Sequence, residues 1–307
     1  MYYFIINPKS RSGKGMKIWD LARERMEKEH LPYKVFFTKY PGHATIMARE
    51  LAERKEPCTL TVVGGDGTIN EVINGLADSD YSHITLGYIQ TGSGNDFARG
   101  LKLTKNPRKS VEQILHPKQI GQIDIGIARS GKEKRYFVIS SGFGFDASIC
   151  KEAQISFLKT LLNHYHLGKL TYAAVAVKQL LTYKPERTDI RLDRCRIYHF
   201  PKCYISAGMN LRYEGGGCKF CPGASCTDGQ IDVCIVGNIS KLKIFSLLPT
   251  AFFGLHRIFR GVYVKRAHEI EFRSKIPLPV HCDGEYFGMR NYLSLKTADR
   301  QLSVILK

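Results

Sequence analysis

Two glycine-rich stretches each place one aspartate directly after an apolar run. The first is VVGGDGTIN, from Val62 to Asn70, and the second is TGSGNDFAR, from Thr91 to Arg99. Glycine lets the backbone approach an anion closely and tolerates positive φ, so successive amides at the start of a helix can bind phosphate. An aspartate repels phosphate unless a cation lies between them, and Mg²⁺ is usually held by one or two carboxylates plus substrate phosphates. The pair of loops therefore predicts a nucleotide site with Mg²⁺, although either loop alone is also typical of a tight turn.

The first 120 residues alternate between short apolar runs and segments with apolar residues at helical spacing. Four runs predict strands, namely YYFIIN, YKVFFT, CTLTVV and ITLGYI. The segments between them predict helices, namely MKIWDLARERMEKE, HATIMARELAER and TINEVINGLA. Strands that alternate with helices predict a parallel sheet with helices on both faces, in which ligands bind at the carboxyl ends of the strands. Both glycine loops lie at such ends.

The pattern changes after about residue 120. Further apolar runs follow without a helix between each, which predicts a mostly antiparallel second domain. Two predicted helical segments interrupt it, at residues 155–181 and 241–261. We expect a first domain of residues 1–120, to which residues 292–307 return, and a second domain of residues 121–291. A chain of 307 residues is long enough for two domains.

The composition indicates an affinity for polyanions. Lys and Arg total 46 against 28 Asp and Glu, which gives a net charge of +18. This surplus attracts nucleic acid, anionic lipid headgroups or phosphate substrates, and does not choose among them. The sequence shows no signal peptide, and its most apolar stretch, residues 244–255, is too short to span a bilayer. We therefore expect a cytosolic protein.

Cysteines are concentrated in one part of the chain. Five of the nine lie between Cys203 and Cys234, and two of these form a C-x-x-C pair. A zinc site needs four ligands, so Cys226 and His199 would have to complete it, at a spacing that fits no common zinc pattern. An odd number of cysteines in a cytosolic chain argues against a disulfide framework. We expect unligated thiols, with zinc as the alternative.

A known family shares these motifs in the same order. NPKSRSGKG, GGDGTINEVINGL, GSGNDFARGL, IDIG and DGE follow one another as in the diacylglycerol kinase catalytic-domain family. Over nearly all its length the chain most resembles the soluble bacterial lipid kinases of that family. NAD kinases share the first glycine motif but lack the Gly-x-Gly-Asn-Asp-Phe-Ala-Arg loop. The resemblance implies an α/β nucleotide-binding domain followed by a β-sandwich-like domain.

The resemblance also implies which residues bind ATP and Mg²⁺. The nucleotide-binding positions lie in the early loop, after the second strand and in both glycine motifs. They are Asn7, Pro8, Lys9, Ser10, Arg11, Thr38, Gly64, Gly65, Asp66, Gly67, Thr68, Asn70, Glu71, Gly92, Ser93, Gly94 and Asn95. The acidic network implied for the catalytic Mg²⁺ is Asp66, Asp96 and Asp124. By sequence alone, Asp124 is a strand-end carboxylate, which is more often structural.

The DGE motif, from Asp283 to Glu285, supplies the candidate catalytic base. Taken alone, an Asp-Gly pair favours a hairpin turn. Phosphoryl transfer needs a carboxylate that accepts the hydroxyl proton of the acceptor. The resemblance implies that Glu285 is this carboxylate and that Asp283 supports the turn.

A second metal site is implied by PGASCTDGQIDV, from Pro222 to Val233. It resembles a segment that holds a structural Mg²⁺ in soluble bacterial members of the family. Asp228 would supply its carboxylate, and Ser225 and Gln230 would supply backbone carbonyls. Gln230 stands where leucine is common, a change that a backbone ligand tolerates.

Two segments carry an excess of basic residues together with bulky apolar ones, namely residues 157–202 and 241–275. A basic helix with an aromatic face is typical of contact with an anionic bilayer. An apolar face packed into the core, with the charges in water, is the alternative for each helix.

We expect an ATP- and Mg²⁺-dependent lipid kinase that phosphorylates the free hydroxyl of diacylglycerol or a related lipid, giving phosphatidic acid or an equivalent lipid phosphate. Its partners would be the membrane lipid substrate and an anionic membrane surface, so the cytosolic enzyme would bind the membrane peripherally. A homodimer is left open. One alternative is a kinase for a soluble hydroxyl substrate, similar to NAD kinases. Another is a non-enzymatic basic protein that binds nucleotides or nucleic acid, although no nucleic-acid motif appears and no nucleic-acid partner is expected.

Overall fold

The chain forms two compact units. The computed structural model describes residues 1–11, 13–155 and 177–307. The first unit comprises Met1–Asp124 and Asp299–Lys307, and the second comprises Ile125–Ala298. Each unit has its own sheet and its own buried core.

A mostly parallel sheet forms the centre of the first unit. Its strands in the described residues are β1 (Tyr2–Ile6), β2 (Tyr33–Phe37), β3 (Cys58–Gly64), β4 (Ile84–Gln90), β5 (Ile120–Ile123) and β15 (Leu302–Ile305). Their order across the sheet is β2-β1-β3-β4-β15-β5. Strands β1 to β4 are parallel, β15 is parallel to β4, and β5 is antiparallel to β15. This arrangement confirms the predicted α/β unit.

Five described helices accompany this sheet, namely α1 (Lys14–Lys28), α2 (His43–Glu53), α3 (Asp66–Leu76), α4 (Asp96–Gly100) and α5 (Pro107–Leu115). The apolar spacing of α1 buries Ile18, Trp19, Ala22 and Met26, as an amphipathic helix requires. The last five residues of β3 are buried without alternation, which is the pattern of a parallel strand covered on both faces. The carboxyl ends of these buried strands therefore fix the positions at which the following loops begin.

The chain returns to the first unit later than we expected. Residues 292–307 were predicted to return, but residues 292–297 belong to β14 (Glu285–Thr297) of the second unit. The alternation in NYLSLKT predicts a strand with one buried face and does not specify its partner. Leu293 and Leu295 enter the second core, and only β15 returns. The first boundary lies at Asp124 instead of residue 120, because β5 pairs with β15.

The second unit is built on antiparallel strands. Those described are β6 (Gly126–Ser130), β7 (Glu133–Phe137), β8 (Ser140–Phe143), β9 (Glu186–Leu192), β10 (Arg196–Met209), β11 (Ile231–Gly237), β12 (Val262–Ala267), β13 (Glu269–Cys282) and β14. Their order is β12-β11-β10-β8-β13-β14-β6-β7, and β9 pairs with both β10 and β13. The core between them contains large apolar side chains such as Phe137, Phe143 and Phe272. The predicted antiparallel, β-sandwich-like second domain is confirmed.

Two helices whose bounds lie in the described residues accompany these strands, α6 (Phe145–Ile155) and α7 (Lys241–Ala251). A 3₁₀ turn follows at His256–Ile258, and residues 177–182 are also helical. The predicted helix at 155–181 falls mostly outside the described residues, as do its apolar positions 157–165. No helix in the described ranges combines the length and apolarity needed to cross a bilayer.

Candidate active site

The carboxyl ends of the parallel strands bring several loops together at one edge of the first sheet. The Asn7 amide, after β1, donates to the Val63 carbonyl of β3 at 2.9 Å, and the Thr38 amide donates to the last carbonyl of β1 at 2.9 Å. The Thr91 amide, after β4, donates to the Gly64 carbonyl at 2.8 Å. The ladder thus continues one residue beyond the strands. The early loop, Thr38 and both glycine motifs lie side by side, as open α/β sheets favour for ligand sites.

The two glycine motifs touch each other. A Cβ on Gly92 would lie 2.9 Å from the Cα of Gly65, and a Cβ on Gly65 would lie 3.2 Å from the Cα of Gly92. Gly65 has a φ of −97°, so lack of space, and not a left-handed conformation, requires glycine there. The left-handed residue of the second motif is instead Asn95, with a φ of 53°. The glycines therefore serve loop-to-loop contact, a role that we did not anticipate.

Asp66 joins the two motifs. Its carboxylate accepts hydrogen bonds from the backbone amides of Asp96 at 3.1 Å and Phe97 at 3.2 Å, at the start of α4. Asp66 thus occupies two amides at the start of α4, and the nucleotide contacts expected of Gly92 and Gly94 stay a prediction. Burial raises the pKa of Asp66, and these amide hydrogen bonds offset that rise only in part. The second motif thus orients Asp66 before any ligand binds.

The start of α3 is a candidate phosphate-binding site. The helix begins at Asp66, preceded by Gly65 as N-cap, and no side chain caps it. The first amides of a helix have no partner within it, and the helix dipole favours an anion at this end. Asn7 Nδ2 donates to Thr68 Oγ1 at 3.3 Å, which joins the early loop to this turn. Gly65, Asp66 and Gly67 can therefore present amides to phosphate oxygens.

Asp96 and Asp124 have separate partners. Arg99 forms an ion pair with Asp96 and also donates to a backbone carbonyl of the same loop at 2.9 Å. Asp124 accepts a hydrogen bond from Gln301 Nε2 at 2.8 Å. The structure therefore links Asp66 to the Asp96 backbone and ties Asp124 to the segment that precedes β15.

The oxygen atoms around the second motif fit a hard cation. The side-chain oxygens Thr91 Oγ1 and Asn95 Oδ1 are buried, and neither has a hydrogen-bond partner within the described residues. Ser93, between them, is exposed. Mg²⁺ prefers oxygen ligands that include one or two carboxylates. Asp66 and Asp96 belong to the same two motifs and would add carboxylates to this set, with Arg99 already paired with Asp96.

The early loop is folded around Asn7. The Asn7 carbonyl accepts from Ser10 Oγ at 2.8 Å, and Asn7 Oδ1 accepts from the Lys9 amide at 3.1 Å. A Cβ on Gly15 would overlap the Asn7 carbonyl, so α1 begins in direct contact with this loop. Lys9 and Arg11 are exposed. Their charges lie at the surface of the loop, where an anionic ligand has access.

Glu71 serves a neighbouring helix. Its Oε2 accepts the Ala44 amide at 3.2 Å, and its carbonyl accepts from Thr45 Oγ1 at 3.0 Å, both in the first turn of α2. Asn70 beside it is fully buried. Glu71 thus caps the start of α2, whose first amides need acceptors, and its implied nucleotide contact stays a prediction.

The Asp-Gly-Glu motif closes the β13–β14 hairpin of the second unit. Cys282 pairs with Glu285, and the residues between them, Asp283 and Gly284, have φ of 52° and 83°. Positive φ at both central residues is typical of a type I′ turn. The Asp283 carboxylate accepts three amides from residues 138–140, at 2.7 to 3.0 Å. The predicted turn-supporting role of Asp283 is confirmed, and Glu285 is half-buried as the first residue of β14.

Asp228 forms an ion pair with the side chain of Arg266. Arg266 Nη1 lies 3.3 Å from Asp228 Oδ2, and Arg266 Nε lies 3.0 Å from Asp232 Oδ2. The same guanidinium donates to the Gly223 carbonyl at 2.6 Å. The Gln230 amide donates to Asp228 Oδ1 at 3.1 Å. A Mg²⁺ ion at Asp228 would meet a guanidinium held by two carboxylates, so these residues fit the implied structural metal poorly.

The cysteines are thiols and not disulfides. Burial raises the pKa of Cys203 to about 12 and that of Cys282 to about 11, so both stay protonated at neutral pH. His199, the fourth ligand of the zinc alternative, hydrogen-bonds to Asp189 at 2.8 Å. No cysteine belongs to a cluster with metal-ligand geometry in the described ranges.

Sequence reasoning missed several polar residues near these motifs. Tyr88 donates from the core to the Gly64 carbonyl at 3.1 Å, and its burial raises the pKa of the phenol well above its usual value. The pairing of Arg99 with Asp96 was readable as an i, i+3 pair. Arg266 gave no signal, because its partner Asp232 is 34 positions away.

Family models match both parts of the chain. The model of the diacylglycerol kinase catalytic domain matches residues 1–128. The model of the YegS C-terminal NAD kinase beta sandwich-like domain matches residues 140–305. Together they cover the glycine motifs and the Asp-Gly-Glu turn.

Individual proteins resemble the chain along most of its length. The candidate lipid kinase YtlR of Bacillus subtilis (strain 168) is 31% identical over 293 residues, covering 94% of each chain. A diacylglycerol kinase of Staphylococcus carnosus (strain TM300) is 29% identical, covering 95% of this chain and 91% of that protein.

Solved structures share the fold. A candidate diacylglycerol kinase from Bacillus anthracis strain Sterne superposes with a TM-score of 0.76 at 21% identity, over 99% of this chain and 96% of that one. An NAD kinase from Archaeoglobus fulgidus in complex with ATP reaches a TM-score of 0.52 at 14% identity, over 99% and 93%. With the matched models and motifs, the chain belongs to the diacylglycerol kinase catalytic-domain family and carries the YegS-type C-terminal domain.

Proposed function

We propose that this protein is an ATP- and Mg²⁺-dependent kinase that phosphorylates the free hydroxyl of diacylglycerol or a closely related lipid. The observation that carries the proposal is the contact between the two glycine motifs at Gly65 and Gly92, where Asp66 begins α3 and accepts the Asp96 amide of the second motif. Membership of the family supports a lipid as the acceptor. With diacylglycerol as acceptor, the product is phosphatidic acid.

The phosphate chain of ATP would lie at the start of α3. The amides of Gly65, Asp66 and Gly67 are suited to phosphate oxygens, and the helix dipole adds attraction. Lys9 and Arg11 supply positive charge from the exposed early loop. These groups would fix the γ-phosphoryl group for attack, and positioning is the main contribution of a protein to phosphoryl transfer.

Asp66, Asp96 and the Asn95 side-chain oxygen would hold the metal. Bound Mg²⁺ neutralises charge on the phosphates and so favours transfer of the γ-phosphoryl group. Hydrogen bonds from the Asp96 and Phe97 amides fix the Asp66 carboxylate in advance, so little reorganisation is needed when ligands arrive. Arg99 holds Asp96 in the same way.

Glu285 would accept the proton of the lipid hydroxyl. As the acceptor oxygen bonds to the γ-phosphorus, the bond to the bridging oxygen of ADP breaks and the hydroxyl proton passes to the Glu285 carboxylate. The type I′ turn and the three amides on Asp283 hold the strand that carries this side chain. The side chain therefore projects from rigid backbone, as a catalytic base requires.

The partner surface that we propose for the membrane is the segment 241–260, here called the α7 surface. One side of α7 is buried through Ile244, Leu247 and Ala251. Other large apolar side chains of the segment are exposed. They are Leu242 (77%), Phe245 (54%), Phe252 (51%), Phe253 (72%), Leu255 (52%), Ile258 (73%) and Phe259 (38%). The alternative that these side chains are core therefore does not apply to them.

Cations accompany this exposed apolar group. Arg257 and Arg260 are exposed, and Lys243 donates to the Arg260 carbonyl at 2.9 Å. An aromatic and basic surface suits the headgroup region of an anionic bilayer, where each nearby Lys or Arg contributes about 1 kcal/mol. Because ATP is a cytosolic metabolite, we propose a cytosolic enzyme that binds the membrane peripherally while it phosphorylates its lipid.

A soluble acceptor is the second candidate. The likeness in fold to an NAD kinase supports a reaction on a soluble hydroxyl. The second glycine motif and the exposed α7 surface favour the lipid instead, because a soluble substrate needs no exposed aromatic group on the enzyme.

The test is phosphate transfer from labelled ATP by the purified protein with Mg²⁺, on anionic vesicles that carry diacylglycerol. Parallel reactions contain a sphingoid base, a polyprenol or NAD. We expect labelled lipid phosphate, and we expect Glu285→Gln to lower kcat by about 100-fold or more while ATP still binds. Transfer to NAD and to no lipid would reject the proposal in favour of the soluble acceptor. Salt-dependent DNA binding without any transfer would favour a nucleic-acid binder.

A further inference from the structure

Three buried ionisable side chains lie next to the Asp-Gly-Glu turn. Asp146 is in the first turn of α6, Glu214 is in the loop after β10, and His281 is the penultimate residue of β13. Their exposed fractions are 7%, 9% and 0%. One nitrogen or oxygen atom from each lies within 4.8 Å of the others. Neither the sequence motifs nor the proposed reaction uses this cluster.

One hydrogen bond of His281 defines its tautomer. Its Nδ1 is 3.1 Å from the Gly284 amide, and an amide can only donate. Nδ1 is therefore the acceptor, and Nε2 carries the proton. Nε2 lies 3.0 Å from Glu214 Oε1 and 3.4 Å from Asp146 Oδ2. With its lone pair on Nδ1, the ring cannot ligate a metal through Nε2, so we interpret the cluster as a polar clamp and not as a metal site.

The fold makes room for this clamp. Gly142 of β8 lies opposite His281 in the antiparallel pairing. A Cβ at that position would overlap both Asp146 Oδ2 and His281 Nε2. Two carboxyl groups buried beside an imidazole oppose folding unless they are well paired, and neither Asp146 oxygen has a hydrogen-bond partner in the described part of the chain. Burial raises the pKa of Asp146.

The clamp reaches Glu285 through one peptide. The Gly284 amide that donates to His281 belongs to the residue immediately before Glu285. Asp283 fixes the other side of the turn through the amides of residues 138–140. The direction in which the backbone enters β14 is thus set by two buried acceptors, the Asp283 carboxylate and His281 Nδ1.

We propose that His281 is a positioning residue for Glu285. Its Nδ1 accepts the Gly284 amide and so fixes the orientation of the Glu285 side chain, while the Glu214 and Asp146 carboxyl groups lie beside the opposite edge of the ring. The inference rests on the proposed role of Glu285 as proton acceptor. In the proposed reaction, His281 itself contacts none of the reacting atoms.

Two substitutions at His281 separate positioning from packing. In His281→Asn the side-chain oxygen can occupy the place of Nδ1 and accept from Gly284, whereas contact with Glu214 is lost. In His281→Gln the amide reaches toward Nε2, and no acceptor remains near Nδ1. Both variants disturb the same buried carboxyl groups, so each serves as the stability control for the other.

We expect similar decreases in Tm for the two variants but different turnover. His281→Asn should keep kcat within about threefold of wild type, and His281→Gln should lower it by about tenfold or more, because small displacements of a catalytic group have large effects on rate. The KM for ATP should be unchanged in both. Equal kcat losses in the two variants, or no kcat loss in His281→Gln, would overturn the proposal.

A measurement without turnover keeps this inference distinct from the kinase proposal. In ¹⁵N-histidine NMR spectra, the resonances that disappear in His281→Asn should report an unprotonated Nδ1 and a protonated Nε2. A ring protonated at Nδ1 would reject the clamp even in an active kinase. If the protein shows the expected tautomer but phosphorylates no lipid, the clamp stands. The proposed role of Glu285 as proton acceptor is then rejected.

Discussion

The backbones of Gly65 and Gly92 are in direct contact, with only 2.9 Å between the Gly65 Cα and the position that a Cβ on Gly92 would take. These residues lie in loops after adjacent parallel strands, β3 and β4. Their contact lets the Asp66 carboxylate reach the Asp96 amide at 3.1 Å. The two motifs thus form one structural element at the ends of β3 and β4. A side chain at the point of contact would separate them.

Gly92→Ala is expected to lower the free energy of unfolding by about 1–3 kcal/mol, because the added methyl group overpacks a backbone contact. ATP affinity should fall as well, since Asp66 and the start of α3 move apart from α4. Urea unfolding and an ATP-binding titration measure the two effects. Gly223→Ala is the matched control, because its Cβ would meet its nearest neighbour at an ordinary 3.6 Å. Wild-type ATP affinity in Gly92→Ala would contradict the role assigned to this contact.

Asp66 predicts a pH dependence of stability. Burial raises its pKa in the folded state, so the folded protein holds the proton more tightly than the unfolded chain does. The resulting stabilisation is complete below the unfolded pKa of about 4 and is lost as pH rises through the folded pKa. In metal-free buffer, wild type should therefore lose free energy of unfolding relative to Asp66→Asn as pH rises from about 4 toward 7.

The control for this pH series is Asp80→Asn. Hydrogen bonds from Ser82 lower the pKa of Asp80, so its contribution should change with pH in the opposite sense. Urea unfolding across the pH range measures both differences. An Asp66→Asn curve parallel to wild type would show that Asp66 titrates normally.

Much of the fold was readable from the sequence because its signals are local. The apolar run CTLTVV and the helical spacing of Ile18, Ala22 and Met26 each lie within a few turns of chain. The order of strand and loop then placed both glycine motifs at the sheet edge. The partner of NYLSLKT was not readable, because alternation defines a buried face and not which core it joins.

The details of the site depend on contacts that are distant in sequence. Asp283 meets Val138 across 145 positions, and Gln301 meets Asp124 across 177. A carboxylate that caps a neighbouring loop, such as Asp66, has the same sequence pattern as one that only binds metal. Sequence therefore identified the residue types of the site but not their division between holding the loops and binding a ligand.

Asp283 and Glu285 are two positions apart, but we expect their substitutions to have very different effects on the free energy of unfolding. Asp283→Ala should lower the free energy of unfolding by about 3 kcal/mol or more, because three amides lose their acceptor. Glu285→Gln should change it by no more than about 0.5 kcal/mol, since a half-buried isosteric change disturbs little packing. Denaturant unfolding of both variants is the measurement, and an equal loss in the two would refute this division.

Arg266 predicts that Asp228 does not need a metal. The guanidinium already neutralises Asp228 and Asp232, so removal of divalent cations should not act through this site. We expect EDTA to change the Tm of wild type and of Asp228→Asn by the same amount. Arg266→Met should lower the Tm by the same amount with and without EDTA, because two carboxylates lose their partner. An EDTA effect that disappears only in Asp228→Asn would instead support the implied structural Mg²⁺.

The α7 surface predicts a loss of membrane binding without a loss of folding. Leu242 and Phe253 are 77% and 72% exposed, so replacing both with serine should leave Tm nearly unchanged. Binding to anionic vesicles should weaken about tenfold or more, since each buried apolar side chain contributes about 1.5–3 kcal/mol at full burial. Ile197→Ser, at an isoleucine of β10 that is 47% exposed, is the control. Co-sedimentation measures binding, and higher salt should weaken what remains, because the cations of this surface are screened. If the double variant bound vesicles as wild type does while Ile197→Ser bound weakly, the membrane surface would have to be sought on β10.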